Sequence, residues 1–250
     1  MTKVLVHGNP ETNHVWGLLV AELATLGIRD VVVLSPPGFG APAPADWVAT
    51  PANYVAWLEG ELSELVGPVD LLGHDWGAGH VFGLAAARPD LIRSYAADVA
   101  GLLNPRYQWH DAAKSWQTPG EGEQAIEFML AISDEDRARA YAEFGLPPEI
   151  AGPMAAGFDA EMGRCILELY RNAPEPVLVD LADRLAAAEH RPSLLIDANA
   201  DAYVASSLTP DVAERLRSSV LTLDGQGHWW MASDPAAAAK GLAEFWGGLD

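Results

Sequence analysis

Short apolar runs alternate with longer stretches of helical period over the first hundred residues. Residues 4–6, 31–34, 69–72 and 95–99 read as buried strands, each bounded by Gly, Pro or Asp. Residues 16–26, 53–66 and 76–87 between them carry apolar positions at helical spacing, and Pro89 stops the last. A repeated strand–helix order with strands apolar on both faces predicts a parallel sheet covered by helices on both sides. The rhythm lapses over 103–190, rich in Trp, Pro and Gly and too long for a plain loop. It resumes with a strand at 194–197, a helix at 210–216, a strand at 220–223 and a helix at 235–245. The pattern predicts an α/β core over 1–102 and 191–250 with a helical lid inserted over 103–190, and a site at the upper strand ends beneath the lid.

Charge narrows the partners. With 15 Lys and Arg against 35 Asp and Glu, the chain carries a formal charge of −20. Such a field repels nucleic acid and acidic membrane surfaces, leaving small neutral or weakly charged molecules as expected ligands. No apolar stretch approaches the roughly 20 residues of a membrane helix. The single cysteine, Cys165, forms no internal disulfide, and no secretory leader pattern opens the chain. A cytoplasmic protein is expected, with a homodimer left open. Seven histidines and one cysteine make no zinc spacing, so neither metal nor cofactor is expected.

The candidate chemistry begins where the third strand meets its helix. Gly73-His74-Asp75-Trp76-Gly77 has the small-x-nucleophile-x-small form of a nucleophile elbow, with Asp75 as nucleophile. The order nucleophile, acid, histidine is completed by Asp201, just beyond the strand at 194–197, and His228, beyond the strand at 220–223. A serine attacking a saturated carbon would make an ether that water does not cleave. A carboxylate makes an ester that a histidine-activated water can hydrolyse, so the electrophile is an sp3 carbon of an epoxide or a carbon–halogen bond. Oxyanion donors are expected from the backbone N–H groups of Trp76 and Asn9, the latter in the loop His7-Gly8-Asn9-Pro10 after the first strand. His7, Trp109, Trp116 and Trp229 are candidate wall residues of a pocket for an apolar or aromatic small molecule. Glycines 77, 79 and 83 lack dinucleotide spacing and read as close helix packing.

With these residues in view, the chain resembles the α/β-hydrolase superfamily, and within it the epoxide hydrolases and haloalkane dehalogenases that use an aspartate nucleophile. The likeness covers nearly the whole chain and implies the α/β-hydrolase fold, a mostly parallel sheet of about six strands flanked by helices. The resemblance implies a sheet that is N-terminally shortened, because the family normally has two strands before the loop that this chain reaches at His7. Gly73-His74-Asp75-Trp76-Gly77-Ala78 is similar to the epoxide hydrolase elbow, and His7-Gly8-Asn9-Pro10-Glu11 to its oxyanion loop, with Asn9 where an aromatic is usual. One subgroup of dehalogenases has Asn there and holds the halide with that side chain and the Trp after the nucleophile, a pair matched by Asn9 and Trp76.

Leu169-Tyr170-Arg171-Asn172 resembles the segment carrying the second lid tyrosine of epoxide hydrolases, which implies that Tyr170 donates to the epoxide oxygen. Trp116-Gln117-Thr118-Pro119-Gly120 resembles the stretch after the first such tyrosine, but Ser115 stands in that tyrosine's place. Asp98 falls where some dehalogenases place their acid. Asp201 is preferred because its loop follows the strand expected in the triad order, leaving Asp98 as a surrogate or site-shaping acid. The resemblance implies epoxide hydrolysis to a diol. Hydrolysis of a carbon–halogen bond is the alternative, and a non-hydrolytic binding or biosynthetic protein on the same fold a third reading.

Overall fold

The computed structural model describes residues 1–174 and 177–249. Strands β1 (Lys3–Val6), β2 (Val31–Leu34), β3 (Val69–Gly73) and β4 (Ile92–Ala97) alternate with helices α1 (Gly17–Thr25), α2 (Pro51–Ser63) and α3 (Trp76–Ala87). Helices α4 (Asp111–Gln117), α5 (Glu121–Ala131), α6 (Asp134–Glu143), α7 (Pro148–Ala156), α8 (Ala160–Arg171) and α9 (Val177–Ala187) follow. The chain closes with β5 (Ser193–Ala198), α10 (Thr209–Leu216), β6 (Ser219–Leu223), the single turn α11 (Trp230–Ser233) and α12 (Pro235–Gly247).

The sheet runs β2-β1-β3-β4-β5-β6 with every neighbouring pair parallel, the six-stranded α/β-hydrolase fold expected. Strand alternation builds its two cores. Val4, Val6, Leu71, Tyr95, Ala97 and Leu195 pack with α2, α3, α9 and α10 on one face, and Leu5, Leu72, Ala96, Leu194 and Ile196 with α1, α11 and α12 on the other. Near the opposite edge from the site, buried Asp70 accepts from Lys3 at 2.6 Å, Arg93 at 2.7 Å and Ser94 at 2.6 Å, tying β1, β3 and β4 together.

Boundaries moved where caps and backbone twist intervene. Helix α2 begins at residue 51 rather than 53 because Thr50 accepts from the Asn53 N–H and Pro51 suits the first helical position. Strand β4 begins at 92 rather than 95 and stops at Ala97; Val99, expected inside it, has a left-handed φ of 42°, which turns the chain out of the sheet.

The chain between β4 and β5 carries helices α4 to α9, and these pack in different places. Helices α4, α5 and α8 form an apolar cluster above Trp76 from Ile126, Met162, Ile166 and Tyr170, while α9 places Leu181 and Leu185 in the sheet core against α3. Glu161 and Glu168 of α8 accept from the Ala43 and Ala49 amides at 3.2 and 2.9 Å, pinning the lid to the segment before α2. Tyr141 of α6 donates to the Pro10 carbonyl at 3.0 Å, tying the lid to the loop after β1.

Candidate active site

The turn from β3 to α3 is where the backbone is most constrained. Asp75 has φ 52° and ψ −125°, a conformation costly for a side-chain-bearing residue, and its carboxylate does not cap α3. The flanking glycines make the turn feasible. A Cβ on Gly77 would stand 2.2 Å from the Val6 carbonyl oxygen, and one on Gly73 2.6 Å from Ala78 Cα. Gly8 is equally confined: its Cβ would lie 2.5 Å from Asp75 Cβ and 2.6 Å from the Trp76 nitrogen. The loop after β1 therefore lies directly on the turn, and Asn9, Asp75 and Trp76 line one cavity.

Two later loops meet this turn. His228 Nδ1 is 2.8 Å from Asp201 Oδ2, and Asp201 also accepts from the Tyr203 and Val204 amides at 2.7 and 3.3 Å. Burial would push the Asp201 carboxyl up, but the His228 contact and these amides hold it below the usual range. Burial likewise opposes charge on His228, yet its bond to Asp201 raises it above an ordinary imidazole. Burial pushes Asp75 up to about 7, with Glu11 and Asp98 adding to the rise and His228 and His74 opposing it.

Asp98 is not in the pocket, contrary to expectation. It is buried and accepts from the Asp75 N–H at 2.9 Å and the Trp230 indole at 2.7 Å, while its Oδ2 is hydrogen-bonded to His74 Nδ1. His74 Nε2 meets Glu11 Oε1 at 2.9 Å, so two carboxylates clasp one buried ring. Burial disfavours its charge, but Asp98 and Glu11 raise His74 well above the ordinary value, as two donating ring nitrogens require. Glu11 also accepts from Trp229 at 2.6 Å and Gly8 at 3.2 Å. Despite burial, its pKa falls to about 2, with His74 the principal cause. His7, the other correction, is fully buried, contacts the Gly8 carbonyl and Ser35 Oγ, and lies outside the cavity; burial lowers it to about 4.

Above Asp75 lies a cavity of about 310 Å³. Trp109, Trp116 and Trp229 line it, together with Asn9, Trp76, Tyr170 and His228. The Tyr170 ring sits edge-on to Trp76 at 5.4 Å. Burial and the Asp75 charge raise its phenol well above the ordinary value, with the Asn9 and Trp76 side chains acting in the opposite sense. Asn9 Nδ2 and Oδ1 are both buried and make no hydrogen bond among the described residues. Ser115 does not line the cavity.

Glu11, His110 and Tyr203 went unassigned in the sequence. Glu11 offered one signal, its place in the short polar loop directly after the first strand. Tyr203 offered its place two residues after Asp201, whereas His110 offered none, because lid packing brings it to the cavity. Glu11, His74 and His228 bring one ligand atom each within 4.8 Å of one another, a grouping invisible in their spacing; both His74 nitrogens are already engaged by carboxylates. No helix among the described residues is long and apolar enough to cross a membrane.

A strained strand-to-helix turn with an acid and a histidine on later loops is the layout of an α/β hydrolase. Residues 4–240 match the alpha/beta hydrolase family, to which the chain belongs. It is 27% identical to a haloalkane dehalogenase of Bradyrhizobium diazoefficiens, over 99% of this chain and 87% of that one. It is 28% identical to an epoxide hydrolase of Caballeronia sordidicola, over 68% of this chain and 53% of that one. A crystal structure of the haloalkane dehalogenase DbeA-M1 loop variant from Bradyrhizobium elkanii superposes with a TM-score of 0.74 at 21% identity, covering 99% of this chain and 89% of that one. The protein is a hydrolase of the α/β-hydrolase type, and these relatives lend nothing to a non-hydrolytic role.

Proposed function

We propose that the protein hydrolyses an epoxide to a diol through a covalent ester on Asp75, the substrate being a small apolar or aromatic molecule. The observation that carries this reading is the phenol of Tyr170 in the same cavity as Asp75, beside Trp76. Asp75 attacks a ring carbon in line, the carbon–oxygen bond breaks, and the oxygen takes the Tyr170 proton. His228, oriented by Asp201, then removes a proton from water as that water adds to the Asp75 carboxyl carbon. The Asn9 and Trp76 amides hold the resulting oxyanion. Collapse expels the diol oxygen, which takes the proton from His228, and the restored Asp75 carboxyl returns a proton to Tyr170.

A second reading, haloalkane dehalogenation, is favoured by the unpartnered Asn9 side chain next to Trp76, which suits a departing halide that needs donors but no proton. The test is product analysis with paired epoxide and bromoalkane substrates. Diol formation that depends on Tyr170 supports the first reading, and halide release that depends on Asn9 and not on Tyr170 replaces it with the second.

A further inference from the structure

We infer that the cleft between α2, α3 and α9, behind Trp76, is a second binding site, for a small carboxylate with an apolar body. It is a cavity of about 410 Å³, separate from the one above Asp75, and Trp76 lines both. Val55 of α2 and Leu178 and Leu181 of α9 wall it, while Gly79 and Gly83 of α3 put no side chain into it. An apolar ligand body is covered between these helices. The site stands whether or not the protein opens epoxides.

His80 supplies the polar anchor. It lines the cavity, is 1% exposed and makes no hydrogen bond among the described residues. Its ring stacks on Tyr54 at 4.6 Å and lies 6.2 Å from Trp76 between centroids, which holds it in place. Burial, with His7 adding, lowers His80 to about 3, so at neutral pH the ring is uncharged and one nitrogen donates. A buried donor without a partner is destabilising, and a ligand oxygen satisfies it.

Charge selects an anion. The chain carries 35 acids against 15 Lys and Arg, yet no acid among the described residues lines this cavity. The one charged side chain of the described lining is Arg184, which makes no ion pair among the described residues. Thr50 and the first turn of α2, whose positive end favours negative charge, lie at the same cavity. A carboxylate here takes an N–H from His80 and is drawn by Arg184 without meeting a competing acid.

Isothermal titration calorimetry of the whole chain with sodium hexanoate and with 1-hexanol tests this. Hexanoate is expected to bind saturably at one site per chain, and hexanol at least tenfold more weakly. His80→Leu is expected to weaken hexanoate binding at least fivefold and Arg184→Gln at least threefold. Ala52→Trp, which fills the cleft from an exposed position on α2, is expected to abolish it, with thermal melting showing that each variant folds. Absence of saturable hexanoate binding, or binding unchanged in Ala52→Trp, would overturn the site. Hexanol bound as tightly as hexanoate, or a loss in His80→Leu with none in Arg184→Gln, would overturn the carboxylate assignment. A loss in Arg184→Gln alone would mark a surface ion contact and overturn the role of the cleft.

Discussion

His228 Nδ1 lies 2.8 Å from Asp201 Oδ2, whereas Asp98, the rival acid, is bound to His74. Asp201→Asn is therefore expected to leave ester formation on Asp75 largely intact and to slow ester hydrolysis by about 10³-fold or more, because the imidazole loses its orienting acceptor. Asp98→Asn acts differently. It loosens the elbow through the Asp75 N–H and the buried His74, so a lower melting temperature with slower ester formation is expected. Single-turnover kinetics on the two variants separates these outcomes.

The choice between the acids was readable from chain order, since Asp201 follows the strand that a triad acid should follow. The elbow was equally readable, because Gly73 and Gly77 are demanded by backbone contacts within a few residues of the turn and of β1. The clasp of Glu11 and Asp98 around His74 was not, because it joins residues 63 and 24 positions from His74, and nothing local marks their pairing. His7 was placed in the pocket by its loop, yet strand β1 ends with its ring turned toward Ser35 beneath the site. In the lid, a helical insertion followed from a segment too long for a plain loop, but the inward side of each short helix is decided by contacts across the lid.

In the two proposed readings Tyr170 and Asn9 would serve different leaving groups, so their variants divide the two chemistries. Tyr170→Phe is expected to slow epoxide opening more than tenfold while leaving any bromoalkane turnover within about threefold. Asn9→Ala is expected to lower halide release at least tenfold if the protein acts on carbon–halogen bonds. Diol and halide assays on both variants read this directly.

In the proposed mechanism only the ionised Asp75 attacks, and burial pushes its carboxyl up to about 7. Ester formation in the wild type is therefore expected to fall about tenfold for each pH unit below that value and to level above it. Rapid-quench measurement between pH 5 and 9 reports this limb. A flat profile across the range would rule out titration of Asp75 near neutrality.

Glu11 is lowered from an ordinary 4.5 to about 2 by its contacts in the folded protein. Its folded-state pKa lies below the unfolded one, so its contribution to stability is fully present above about pH 4.5 and is lost as pH falls toward 2. Glu11→Gln is expected to melt lower at pH 7 and to lose less stability than the wild type between pH 4.5 and 2. Melting curves across that window test it.

A covalent ester at Asp75 is the central intermediate of the proposed mechanism. Intact-protein mass of His228→Gln exposed to a panel of epoxides and haloalkanes tests it, with digestion to locate any adduct. The predicted result is the added mass of a whole epoxide, mapped to Asp75 and persisting because no base activates water. Turnover of the same epoxide by the wild type, with no adduct at Asp75 in the variant, would contradict the covalent mechanism.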